Sequence, residues 1–287
     1  MPFTVADAVA ALEAAYDPAL AESWDSVGLT VGDPAAPVRR ALFAVDPTAA
    51  VVDEALAWGA DLIVTHHPLL LRGVHSVATT TAKGRTVHRL ITGGAALFTA
   101  HTNADRARPG VSDALARAVG LTGDLRPIEP VPGDPALGLG RVGVLPEPVA
   151  LAAFAARAAA GLPATAPGLR VSGNPETPVR TIAVSGGAGD SLFDAVRAAG
   201  ADVFLTADLR HHPASEFVEA HGVALVDAAH WATEWPWLAD AAARLEHASA
   251  AREDEPLETR VSALVTDAWN FVPHRGAVEP EGVDVSP

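Results

Sequence analysis

DEALAWGADLIVT (residues 53–65) and DAVRAAGADVFLT (194–206) carry the same Gly-Ala-Asp at the same point and close on the same Thr. Each follows a short apolar run, ALFAV (41–45) in the first copy and TIAVS (181–185) in the second. Runs this short and this apolar suit buried strands, so each copy reads as strand, helix, strand. In the first copy a strand over 41–46 leads to a helix over 47–59 started by Pro47, and then to a buried strand over 60–65.

A second correspondence lies outside the first. AALFTAHTNAD (95–105) resembles VALVDAAHWATE (223–234), each a strand-like run followed by His, three residues and a carboxylate. The elements keep one order in both halves, and the separation is too long for a solenoid repeat, so a whole α/β unit is duplicated. The expected fold is α/β, two similar domains: residues 1–125 with about 235–287 in the first, 126–234 in the second. Further out, residues 4–16 place Val5, Val9, Leu12 and Ala15 at helical spacing behind Thr4 as N-cap. The Pro/Gly-rich PIEPVPGDPALGLG (127–140) reads as a linker, RVGVLP (141–146) as a strand and ALAAFAARAAAGL (150–162) as a helix. The tail EPEGVDVSP after residue 278 reads as frayed.

Composition narrows the function. At 287 residues with 49% hydrophobic and 5% aromatic content, the core is built from Ala, Val and Leu, as packed α/β layers are. A net charge of -15 argues against nucleic acid as a partner, because nonspecific affinity for it comes from Lys and Arg on phosphates. Bound divalent cations would add local positive charge, so a phosphorylated small molecule remains compatible. With no cysteine there is no disulfide, thiolate ligand or thiol nucleophile, and any metal must use His and carboxylates. The N-terminus has neither a basic region nor an unbroken apolar stretch, and no segment holds about 18 uninterrupted apolar residues. A cytoplasmic protein without a membrane partner is expected.

Three segments carry chemistry, each following an expected strand, where open α/β sheets place ligands. In THHP (65–68), His66 and His67 converge only if the strand ends at Thr65, and Pro68 holds His67 out of helical conformation. His101 with Asp105, and His230 with Glu234, stand four apart, a spacing that puts both side chains on one face of a helical turn. Imidazole and carboxylate together suit Zn, Fe or Mn. Each segment alone is equally compatible with a capping histidine or a hydrogen-bonded turn.

ESWDSVGLTVGD (22–33), THHP, HTNAD (101–105), GGAGDSL (186–192) and DAAHWATE (227–234) together resemble, in order and over nearly the whole chain, the family named after NGG-one interacting factor three. Its bacterial members are often labelled GTP cyclohydrolase I type 2 homologues, and this chain resembles the short form without an inserted domain. The resemblance implies two similar α/β domains with a dinuclear metal site in the cleft between them, and a toroidal homohexamer built as a trimer of dimers. Carried over residue by residue, it implies His66, His67, Asp105, His230 and Glu234 as ligands of two divalent ions. One split gives His67 and Asp105 to one ion, His66 and His230 to the other, and Glu234 to both. His101 shares a motif with Asp105 and is placed beside the ions, as a further ligand or as a group that orients one. Ser26 departs from the family's usual WDNVGL, which leaves Asp25 and Ser26 open between substrate contact and turn stabilisation.

His211 and His212, in a second HHP, are separated by four residues from the expected strand end at Thr206 and are expected to form a cleft wall. Arg72 and His75 lie where an anionic substrate group could reach them, or on a loop with no such role. Trp231, Trp235 and Trp237 are expected to pack the cleft or a subunit interface. A carboxylate-bridged pair of ions activates water, so the expected activity is hydrolysis of a small phosphorylated or nucleotide-like substrate, with His101 or another nearby His as proton carrier. No P-loop, dinucleotide fingerprint or nucleophile elbow is present, and no sequence feature reports on a guanine pocket. The alternative is a non-catalytic protein whose ions serve structure, metal handling or partner binding. Five ligands for two ions leave coordination positions open, which favours catalysis.

Overall fold

The computed structural model describes residues 2–251 and 256–273. The chain runs α1 (Val5–Ala15), β1 (Gly28–Val31), β2 (Arg40–Ala44), α2 (Ala49–Trp58), β3 (Leu62–Thr65), α3 (Ala82–Gly93), β4 (Ala96–Thr99), α4 (Thr102–Arg106), α5 (Val111–Ala118), β5 (Glu129–Val131), β6 (Asp134–Leu139) and β7 (Arg141–Ala150). It continues α6 (Leu151–Gly161), β8 (Arg170–Ser172), β9 (Pro178–Ala188), α7 (Phe193–Ala198), β10 (Val203–Ala207), α8 (His211–His221), β11 (Ala224–Ala228), α9 (His230–Glu234), α10 (Trp237–Ala250) and β12 (Glu258–Val261). The tail beyond residue 278 lies outside the described residues.

Two five-stranded sheets result, β1-β4-β3-β2-β12 and β7-β9-β10-β11-β8. In the first, β2, β3 and β4 are parallel and β1 runs antiparallel on β4. In the second, β9, β10 and β11 are parallel and β8 runs antiparallel on β11. The sheets differ at the other edge, where β12 is parallel to β2 but β7 is antiparallel to β9. Central strands are buried along their whole length, as strands covered on both faces must be. Leu62 and Val64 face a core shared with α1 and α10, while Ile63 faces α2 and α3. Val203 and Leu205 likewise face α5 and α6, and Phe204 faces α7 and α8.

The repeated Gly-Ala-Asp does the same work twice. Gly59 and Gly200 take left-handed backbone (φ 76° and 70°), which ends each helix at a residue without a Cβ. Asp61 Oδ2 then accepts the amides of Arg39 and Arg40 (2.8 and 3.0 Å) at the start of β2. Asp202 Oδ2 accepts those of Arg180 and Thr181 (both 2.8 Å) on β9. Thr4 caps α1 as expected, its hydroxyl accepting from Asp7 N while Asp7 accepts from Thr4 N. Thr48 rather than Pro47 starts α2, because its hydroxyl supplies the acceptor for Val51 N that proline lacks.

Residues 127–140 are not a linker. They fold into the β5–β6 hairpin, and Ile128 beside it is buried against the second sheet in one cluster with Val142, Leu192 and Phe204. A two-stranded ribbon is all edge, so Pro130 and Pro135 cost it few ladder bonds. The hairpin leads to Arg141, fully buried at the head of β7. Its guanidinium donates to Asp113 (3.0 Å), to Ala107 O (2.6 Å) and to the carbonyls of Gly138 and Gly140 (both 2.7 Å), tying α5 to the second sheet. No described helix is long and apolar enough to cross a membrane.

Candidate metal centre

Strand β3 ends at Thr65, yet His66 N and His67 N still donate to Ala44 O and Val45 O (3.2 and 2.8 Å). The chain therefore stays beside the exit of β2 while leaving the pleat. Both rings consequently turn to one side, with centroids 5.2 Å apart. Strand β4 delivers Ala100 and His101, and the single turn of α4 carries Asp105 back toward His66. Strand β11 delivers α9, whose ends are His230 and Glu234. The four-residue spacing brings His230 Nε2 to 2.9 Å from Glu234 Oε1.

Glu234, 3% exposed, is the centre of the cluster. Its Oε1 also lies 3.4 Å from His66 Nε2, and its Oε2 lies 3.1 Å from His67 Nε2. Asp105 Oδ1 approaches His66 Nε2 at 3.7 Å. The split implied by the resemblance pairs His66 with His230, which Glu234 Oε1 faces together, but gives Asp105 to His67, whereas here it stands against His66. Ligand atoms of His66, His67 and His101, and separately of His67, His230 and Glu234, gather within 4.8 Å.

All four imidazoles are oriented alike. Nδ1 of His66 meets Ala100 O (2.9 Å), that of His67 meets Asp46 (2.7 Å), that of His101 meets Asp25 (2.8 Å) and that of His230 meets Asp208 (2.6 Å). A carbonyl or carboxylate only accepts, so each Nδ1 carries a proton and a neutral ring aims its Nε2 lone pair inward. His66 Nε2 and Glu234 Oε2 are buried with no hydrogen-bond partner. Lone pairs and carboxylate oxygens facing one another at these distances repel unless a proton or a cation stands between them. The donor set therefore fits divalent metal, with each ring held by an outer partner in the manner usual for metal-bound histidine.

Without a cation the protons do that work. Burial opposes charge on His66, but Glu234 and Asp105 raise its pKa. Burial likewise opposes charge on His67, but Glu234 and Asp46 raise it well above the ordinary value. Burial is again outweighed by Glu234 at His230, whose pKa rises to about 9. Burial would raise Glu234, but His67, His230 and His66 hold it well below the carboxylate range. Burial lifts Asp105 to about 6, and burial with the neighbouring His66 lowers His101 to about 4.

Gly187, in the GGAG stretch at the end of β9, closes one side. Its φ is 67°, and a Cβ there would lie 2.7 Å from Glu234 Oε1 and 3.0 Å from His230 Nε2. Gly187 N donates to Thr233 Oγ1 (2.9 Å), and Gly187 O accepts from Thr206 (2.9 Å), so the backbone itself lines the centre.

The structure thus gathers His66, His67, Asp105, His230, Glu234 and His101 in one place. Asp25 serves His101 and also accepts from Ser26 N and Thr102 N (2.7 and 3.1 Å), the turn role left open by the sequence. Arg72 and His75 are exposed on the loop after the centre. His211 and His212 are exposed at the start of α8, where His211 lines a cavity with Arg170 and Asp227. Trp231 and Trp237 are core, Trp237 standing 5.4 Å from the His66 ring, and Trp235 donates to Ser262 O (2.9 Å). Asp46 and Asp208 lie outside the motifs that mark the site in the sequence. The aligned repeats hold a signal for Asp208, which falls in the second copy where His67 stands in the first.

The sequence model of the family described as Duf34/NIF3 (NGG1p interacting factor 3) matches residues 3–267. The GTP cyclohydrolase 1 type 2 homolog of Streptomyces coelicolor is 57% identical over 267 residues, covering 92% of this chain and 93% of that relative. A Staphylococcus aureus hypothetical protein of solved structure superposes with a TM-score of 0.84 at 27% identity, covering 95% of this chain and 100% of its own. A Bacillus cereus protein related to NIF3 superposes with a TM-score of 0.83 at 25% identity, covering 94% and 99%.

Proposed function

The chain belongs to the Duf34/NIF3 family, and from that premise we propose that it is a dinuclear metal-dependent hydrolase acting on a small phosphorylated or nucleotide-like substrate. The observation that carries this reading is the unpartnered, fully buried His66 Nε2 facing Glu234 and Asp105. His66, His67, Asp105, His230 and Glu234 would hold two divalent ions (Zn, Fe or Mn). Ions so held acidify water and polarise the oxygen under attack.

Around them the chain's own groups orient and move protons. Asp46, Asp208 and Ala100 O fix the rings of His67, His230 and His66. His101, its Nδ1 held by Asp25, presents Nε2 as proton acceptor. We read the chain as two similar α/β domains made by duplication, 1–125 with about 235–287 and 126–234, the centre lying between them. The matching work of Gly59-Ala60-Asp61 and Gly200-Ala201-Asp202 supports this. Homohexameric assembly and a cytoplasmic location complete the reading.

The test is elemental analysis of protein purified without chelator, beside Glu234→Ala and His66→Ala, followed by a phosphoesterase and nucleotide-hydrolase panel. About two equivalents of metal, lost in both variants and needed for turnover, is the expected result. Metal without turnover on any substrate replaces hydrolysis with a structural, metal-handling or partner-binding role, and absence of metal overturns the ligand set.

A further inference from the structure

The centre opens onto two cavities of opposite character. On the His67 side, a cavity of about 390 Å³ is bordered by Lys83, Arg85 and Arg89, cations in a chain whose net charge is -15. On the His230 side, a cavity of about 330 Å³ is bordered by Arg170, Asp208, Asp227, Asp267, Trp269 and Phe271. It shares His230 and Asp208 with the centre, so whatever fills it lies next to the reacting atoms.

Four features of this second cavity select a ligand. Trp269 and Phe271 are 71% and 76% exposed, an unfavourable display for two large rings unless something covers them. The segment bearing them is anchored: Ser262 N donates to Phe43 O (2.8 Å), Ser262 Oγ donates to Glu54, and Thr266 donates to Asp46, the residue that also holds His67. Asp267 Oδ2 is buried without a hydrogen-bond partner, an acceptor lacking its donor. Arg170 is already paired with Asp227 and His230 with Asp208, and the Asp267 carboxylate draws on the backbone of Trp269 and Ala268 while its Oδ2 lacks a donor, so an anionic group is disfavoured.

We infer that this cavity is the subsite for a planar heteroaromatic ring bearing N–H or amino donors, the nucleobase-like part of a substrate whose phosphate extends toward Lys83 and Arg85. The ring stacks on Trp269 and Phe271, and its donor edge meets Asp267. An aromatic face accepts any flat ring, while the lone carboxylate oxygen favours one with donors at its rim. This deepens the proposed hydrolase and rests on its nucleotide-like substrate.

The test is calorimetric titration of the full chain, its metal content determined, with GMP, purine riboside 5′-monophosphate and ribose 5-phosphate. GMP should bind about tenfold tighter than ribose 5-phosphate, the scale of one base–aromatic stack. Trp269→Ala and Phe271→Ala should each erode that difference and leave ribose 5-phosphate unaffected. Asp267→Ala should weaken GMP but not purine riboside 5′-monophosphate, whose ring lacks the donors. Equal binding of GMP and ribose 5-phosphate overturns the inference, as does a preference that survives both aromatic substitutions. So does a Trp269→Ala variant that changes oligomeric state by light scattering while keeping the preference, since the rings would then cover a subunit contact. Because binding is read without turnover, failure of hydrolysis alone leaves these outcomes decisive.

Discussion

Asp208 Oδ2 accepts the Nδ1 proton of His230 at 2.6 Å from a backbone in the left-handed region, φ 57°. It is the one described non-glycine residue with positive φ, and such strain persists where the surroundings impose it. The bond fixes which nitrogen of His230 faces Glu234. Asp208→Asn keeps the shape and an acceptor but loses the charge, and Asp208→Gly keeps the backbone but loses the acceptor. Metal affinity, measured by competition with a chromophoric chelator, should fall about 10-fold in the first and toward 100-fold in the second. Unchanged affinity in both would leave the bond without a role in metal binding.

Gly187→Ala should empty the centre while the fold survives. Its Cβ would stand 2.7 Å from Glu234 Oε1 at a φ that already disfavours a side chain. Gly200→Ala is the matched control, with φ 70° but nothing within 4 Å of the added Cβ. The control should cost about 1 kcal/mol in urea unfolding and leave metal content intact. Equal metal content in the two variants would show that Gly187 is needed for its backbone conformation alone.

The metal-free protein should lose stability as pH rises from about 6.5 to 9. The His230 pKa is raised from the ordinary 6.5 to about 9, so its contribution is complete below 6.5 and disappears as pH passes through 9. His66 and His67 are raised too and act in the same direction. Metal competes with those protons, so its affinity should rise over the same interval, with protons released on binding. Thermal melts of the chelated protein across this range are the check, and a flat profile would contradict the cluster's electrostatics.

Arg141→Met should cost about 3 kcal/mol in denaturant unfolding, because it strands the buried Asp113 carboxylate and three carbonyls. Metal content of the folded fraction should not change, since Arg141 touches no residue of the centre. A loss below about 1 kcal/mol would put this pair in the class of exposed ion pairs.

Much of the centre could be read locally. His230 and Glu234 meet because a helical turn brings residues four apart to one face, and the rings of His66 and His67 turn together because their strand ends before Pro68. Residues 127–140 carry no local signal for the hairpin, because proline and glycine mark a two-stranded ribbon and a linker alike and only the burial of Ile128 separates the two.

Whatever depends on neighbours along the chain is legible in it: the strand–helix–strand units, the repeated Gly-Ala-Asp, and the His and carboxylate spacing. Which groups hold the rings depends on packing across the fold, since Asp46, Asp208 and Asp25 lie 21, 22 and 76 residues from the histidines they orient. Sheet order and packing bring those pairs together. A hydrogen bond to Nδ1 leaves no periodicity in the chain, so it becomes visible only when the strand ends are set side by side.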